Sequence, residues 1–92
     1  MALYETKGFS PNIVVHSAVT AKLTGIFDSI AVVSGDSSDC VTMDITPLGS
    51  AETTVEVSSG DTLYGPFLSY DINIIAAGTH VIIHERSKTT VI

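Results

Sequence analysis

The chain has 92 residues, 45% of them hydrophobic and only 15% charged, with a formal net charge of −6. That length makes one domain near the lower end of what folds unaided, for which self-association is a common supplement. Its four cations, Lys7, Lys22, Arg86 and Lys88, are too few and too scattered to displace counterions from nucleic acid or to hold an anionic bilayer.

With so little charge, the surface relies on Ser and Thr for solubility, and such a surface is easily buried against protein because few ions must be desolvated. Cys40 is the single cysteine, so no intrachain disulfide forms, and a small buried hydrophobe is its expected role. Met1 to Lys7 carries no apolar signal core, and no apolar run approaches the ~20 residues that span a bilayer, so synthesis and folding in the cytoplasm are expected.

Residues 1–12 read as an irregular arm punctuated by Gly8 and Pro11, with Leu3, Tyr4 and Phe9 as apolar groups suited to a neighbouring subunit. Residues 13–92 read as the β domain. Ile13 to Val19 is a predicted strand with apolar residues on both faces, which implies burial on two sides. In the next stretch Val19, Leu23, Ile26 or Phe27, and Ile30 fit a helical period. Gly25, the β-branched Thr20 and Thr24, and the lack of a cap argue instead for a strand over Lys22 to Val33, bent at Gly25.

Ser34 to Asp39 is a turn-rich loop, after which Cys40 to Thr46 alternates with Val41, Met43 and Ile45 inward. Pro47 to Ser50 is a turn, and Glu52 to Val57 places Val55 and Val57 inward. Asp61 to Arg86 then reads as strand, turn, strand, turn, strand, with Gly65-Pro66 and Ala77-Gly78 at the reversals. Within it, Tyr70 to Glu85 reads as a hairpin, Tyr70, Ile72 and Ile74 facing Val81 and Ile83. Gly35, Gly60 and Gly78, each after small residues, are predicted to be left-handed glycines closing bulged turns. The apolar end at Ile92 implies a paired last strand. The fold expected is all-β: one small antiparallel sandwich or barrel of six to eight short strands.

Sequence motifs offer no chemistry. His80 and His84 share a strand face but stand roughly 13 Å apart, too far to share a metal, and His16 adds no ligand spacing. Gly35-Asp36-Ser37 echoes a hydrolase nucleophile without the rest of a triad. Asp36, Asp39 and Asp44 lack the spacing of a calcium loop. Thr90-Val-Ile92 fits a groove for carboxyl-terminal peptides, a three-residue match that chance supplies often. The expectation is a protein that is not an enzyme, with no cofactor and no bound metal.

The segment Val57-Ser-Ser-Gly-Asp-Thr-Leu-Tyr-Gly-Pro-Phe67, followed by Ile72 to Ile75, Ala77-Gly78 and Val81-Ile-Ile-His84, resembles a pattern in small virion proteins of tailed bacteriophages. A glycine turn leads to an apolar-Tyr-Gly-Pro-Phe stretch, and a second glycine turn leads to a short apolar strand. The resemblance covers Val57 to Arg86. It implies a capsid decoration (cement) protein on the virion surface, made in the host cytoplasm, commonly a homotrimer, that bridges subunits of the major capsid protein. A small tail, fibre or head-tail component that binds virion proteins or a host receptor is the alternative. Under that resemblance the interface residues are Leu3, Tyr4 and Phe9 in the arm, Tyr64, Pro66 and Phe67 at the turn, and Ile92, since large aromatic groups anchor interfaces disproportionately.

Overall fold

The computed structural model describes residues 12–86, and every regular element in them is a strand. β1 is Asn12–His16, β2 Leu23–Ser34, β3 Cys40–Pro47, β4 Thr53–Ser58, β5 Thr62–Ile75 and β6 Thr79–Glu85. They pair antiparallel in one six-stranded sheet of order β1-β6-β2-β5-β3-β4. The protein is all-β.

Two long strands bend this sheet over on itself. β2 slips register twice between Thr24 and Ser29, so Leu23 and Thr24 pair with Tyr70 and Ser69, while Ser29 to Ala31 pair with Tyr64 to Thr62. β5 pairs with β2 from Thr62 to Tyr70 and with β3 from Phe67 to Ile75, so Phe67, Ser69 and Tyr70 have a partner on each side. The first half of the sheet is therefore β1, β6, the end of β2 and the start of β5. The second is β4, β3, the end of β5 and the start of β2. Bulges add local twist, and two of them close together in β2 let one strand serve both halves.

The inner faces of both halves fill one core. Ile30, Val32, Val81 and Ile83 come from the first half, and Val41, Met43, Ile45, Val57 and Ile72 from the second. β3 and β6 approach each other although β2 and β5 lie between them in the hydrogen-bonded order. The molecule is 19 Å in its shortest dimension, which suits two layers about 10 Å apart with side chains outside them. The bent strand expected over Lys22 to Val33 is β2, and Val41, Met43 and Ile45 point inward as their alternation implied.

Several expectations are corrected. β1 ends at His16, and its Ile13 and Val15 are 59% and 57% exposed, so only its Val14 side packs against the core. Gly65-Pro66 does not end a strand; β5 continues through it. Tyr70 to Glu85 is not a hairpin. A tight turn joins β5 to β6, with Thr79 N–H donating to Ala76 O at 3.1 Å, but β2 lies between them in the sheet because the chain crosses there from the second half to the first. Ile74 is 64% exposed, since a register shift between Thr42 and Met43 turns it outward and brings Ile75 against the core instead.

Among the glycines, Gly60 and Gly78 take positive φ as expected, Gly49 joins them, and Gly35 does not. The Ser34–Asp39 loop turns on side chains instead: Ser34 Oγ donates to Asp39 Oδ2 at 2.6 Å, and Ser38 N–H to Asp36 Oδ1 at 2.9 Å. These Ser–Asp bonds supply a reversal that would otherwise need a left-handed residue.

Candidate functional site

The two outer faces of the molecule differ in chemistry. Directly paired residues share a side of the sheet, so the registers identify each face. On the first half, one row runs Ile13, His84, Ser29, Tyr64 and the next Val15, Ile82, Ala31, Thr62, with His80 beside Val33 beyond them. Among the described residues no Asp, Glu, Lys or Arg stands in these rows. The nearest such pair, Asp28 and Arg86, lies next in sequence beyond Ser29 and two residues beyond His84, and its members bind each other at 2.6 Å. Ile13, Val15, Val33 and Tyr64 are all well exposed on this face, Tyr64 by 80%. Other exposed large apolar groups, Val19, Leu23, Ile26, Leu48, Leu68 and Ile74, lie elsewhere on the molecule, so what distinguishes this face is its lack of charge.

The outer face of the second half is polar and acidic. It carries Thr42, Asp44 and Thr46 of β3, Thr54 and Glu56 of β4, and Ser69, Asp71 and the exposed, apolar Ile74 of β5. Asp44 is directly opposite Asp71. Their carboxylate oxygens and one of Glu52 lie within 4.8 Å of one another, a donor set of the hard kind that calcium takes. Thr54 Oγ1 already donates to Asp44 at 2.5 Å, and Lys22 pairs with Glu52 at 3.2 Å. Asp36, Asp39 and Asp44 lack calcium-loop spacing in the sequence, and the sheet groups Asp44 with Glu52 and Asp71.

Asp71 is the strained member. Its Oδ1 is buried with no hydrogen-bond partner. Burial, then Asp44 and Glu52, push its carboxyl above the usual range, and Lys22 works the other way. Because the folded state holds this proton more tightly than the unfolded chain, the cost appears as pH rises through the carboxylate range and is absent below it. Asp71→Asn is therefore expected to raise stability at pH 7 by about 0.2 to 1 kcal/mol, the usual size of a cross-strand like-charge term. Calorimetric melting should show that gain shrinking as pH falls towards about 4 and gone below it.

Two of the histidines bond to hydroxyls of neighbouring strands. His16 Nε2 lies 2.6 Å from the Tyr70 hydroxyl, and His84 Nδ1 lies 3.0 Å from Ser29 Oγ. Ser29 and His84 form a nucleophile-and-base pair that sequence spacing could not reveal, since 55 positions separate them. They sit side by side on an open sheet face, where a hydrolase would need a cleft and an oxyanion hole. No hydrogen bond joins Ser37 to a histidine among the described residues. Cys40 is partly exposed rather than buried, and Glu56, as hydrogen-bond acceptor and charge, pushes its thiol up, away from the reactive thiolate.

Of the expected interface residues, Tyr64 is exposed on the first outer face, Pro66 is half-buried, and Phe67 is in the core at 4% exposure. Leu3, Tyr4, Phe9 and Ile92 lie outside the described residues. The sequence missed the neutral face because it is assembled from four strands whose outward residues are adjacent only in the sheet. Comparison of the chain with family models, with curated proteins and with solved structures returns no match.

Proposed function

We propose that this is a structural protein of a bacteriophage virion, a capsid decoration protein that attaches to the outer shell and stabilises it. The observation that carries this reading is the neutral, apolar outer face of the first half, set against an acidic opposite face. A molecule divided in this way is suited to being held by protein on one side and kept soluble by the other. The resemblance of Val57 to Arg86 to small virion proteins supplies the setting.

Stabilisation follows from mass action. A ligand that binds assembled shell and not its separated subunits stabilises the shell by about 2.7 kcal/mol per site at a hundred times its Kd. No bond need be made or broken. The test is sedimentation of the purified protein with undecorated shells and, separately, with free capsid subunits. Pelleting with shells and not with subunits is the expected result, and binding to neither overturns the assignment.

A further inference from the structure

We propose that His80 and His84 make attachment through the outer face of the first half depend on pH, firm near neutrality and released by mild acid. This rests on the reading above that the shell holds this face, and it adds how that hold is regulated. β6 turns Val81 and Ile83 inward and His80, Ile82 and His84 outward. His84 stands in the row of Ile13, Ser29 and Tyr64, and His80 stands opposite Val33. Both therefore lie among the groups that a partner's surface would cover.

Imidazole is the one side chain whose charge ordinarily changes between pH 5 and 8. Among the described residues these rows hold no Asp, Glu, Lys or Arg, and the other ionisable group, Tyr64, is a phenol, a class that stays neutral in that range. Near neutral pH the face is therefore covered without desolvating an ion. Each proton that an imidazole takes up there adds a positive charge, which burial against protein must desolvate or expel.

The surrounding charges do not compensate such a proton. Asp28 is held by Arg86 at 2.6 Å, and Arg86, two residues beyond His84, opposes a second cation there. Glu85 shares the inward side of Ile83, where its charge acts on the Tyr70 hydroxyl. Near His80, Asp39 accepts from the Thr79 hydroxyl at 3.4 Å, and His16, opposite Val81, is on the inward side too. Asp61 lies two strands away, beyond β2. Ser29 Oγ, 3.0 Å from His84 Nδ1, can accept from a charged ring or donate to a neutral one, but it carries no charge to offset. Because the free face takes up protons that the covered face excludes, attachment weakens as pH falls, by up to about tenfold per pH unit for each proton shed. The His16–Tyr70 pair is a separate matter, since it stands on the inward side and bears on folding.

Sedimentation of the full chain with undecorated shells at about pH 7.5, 6.5 and 5.5 tests the proposal, with circular dichroism at each pH to follow the fold. The parent is expected to pellet at pH 7.5 and to need at least about tenfold more protein for half-saturation at pH 5.5. In a double variant, His80→Gln with His84→Asn, that ratio is expected to fall below about twofold. The ratio is taken within each variant, so any change in its affinity at neutral pH cancels. Single variants, each expected to lose about half of the effect on a logarithmic scale, carry the comparison where the double change itself prevents attachment. Four results overturn this inference and leave the virion assignment standing: equal attachment at all three pH values, tighter attachment in acid, a ratio that the double variant keeps, or release that tracks loss of the folded spectrum. The third of these would place the titration on the shell. Pelleting at none of the three pH values removes the virion assignment itself, and this inference falls with it.

Discussion

Replacing Tyr70 with alanine is expected to cost about 3 to 5 kcal/mol, the range for deleting a large buried aromatic side chain. In a domain of this size that leaves a large share of molecules unfolded at 37 °C. Tyr70 is 1% exposed and stands where the two halves of the sheet meet. Its ring packs edge-on against Phe27, with centroids 4.7 Å apart. Its hydroxyl reaches His16, so one side chain ties β5 to both β2 and β1. Urea denaturation followed by circular dichroism measures the loss. Tyr70→Phe, which keeps the packing and orphans His16, should cost about 1 to 2 kcal/mol. Similar losses for the two variants would mean that the hydrogen bond, not the ring, is what matters.

The same pair gives stability a pH limit on each side. Burial, with Glu85 adding to it, pushes the Tyr70 hydroxyl up to about 12. The unfolded chain releases that proton near pH 10 and the folded one does not, so about 2 to 3 kcal/mol of stability is lost between pH 10 and pH 12. Burial holds His16 below its ordinary value. Below about pH 6.5 the unfolded chain gains a proton that the folded state resists, and stability declines there too. Both limits come from the burial of this hydrogen-bonded pair, which disfavours the charged form of each partner.

Gly65→Ala is the second large effect, expected at about 2 to 3 kcal/mol of destabilisation. A methyl group at this position would lie 2.6 Å from the Phe27 carbonyl oxygen and 2.6 Å from the Phe67 nitrogen. Both are backbone atoms of the strands that bend here, so neither moves aside without disturbing the register of β2 with β5. Gly35→Ala is the control: nothing lies within 4 Å of the added carbon, and the backbone there is not left-handed. It should melt within about 0.5 kcal/mol of the parent. Equal melting temperatures for Gly65→Ala and the parent would mean that β5 can bend elsewhere.

Local chemistry carried much of the fold. Val41, Met43 and Ile45 alternate in sequence and are buried in space, and Gly60 and Gly78 mark turns that require positive φ. Gly25 outweighed a helical period because glycine and β-branched threonines disfavour a helix, and β2 is the result. Pairing was less legible. Tyr70 to Glu85 has every local mark of a hairpin, yet β2 separates its strands, a choice made by the distant residues that bury Ile30 and Val32. Ile74 was misplaced for a related reason, as a bulge against β3 has no signature in the residues around Asn73. The neutral face was the least legible feature, because exposed Ile13, Val15 and Val33 look in sequence like any other strand residues.

The pairing of β1 with β6 has a consequence for how the molecule is made. The neutral face takes side chains from both strands, and β6 is the last element of the described chain to leave the ribosome. A nascent chain therefore has no completed adhesive patch to offer its neighbours on a polysome. Stickiness is acquired only when translation has passed Glu85, by which time the acidic flank that keeps the molecule dispersed has already been made.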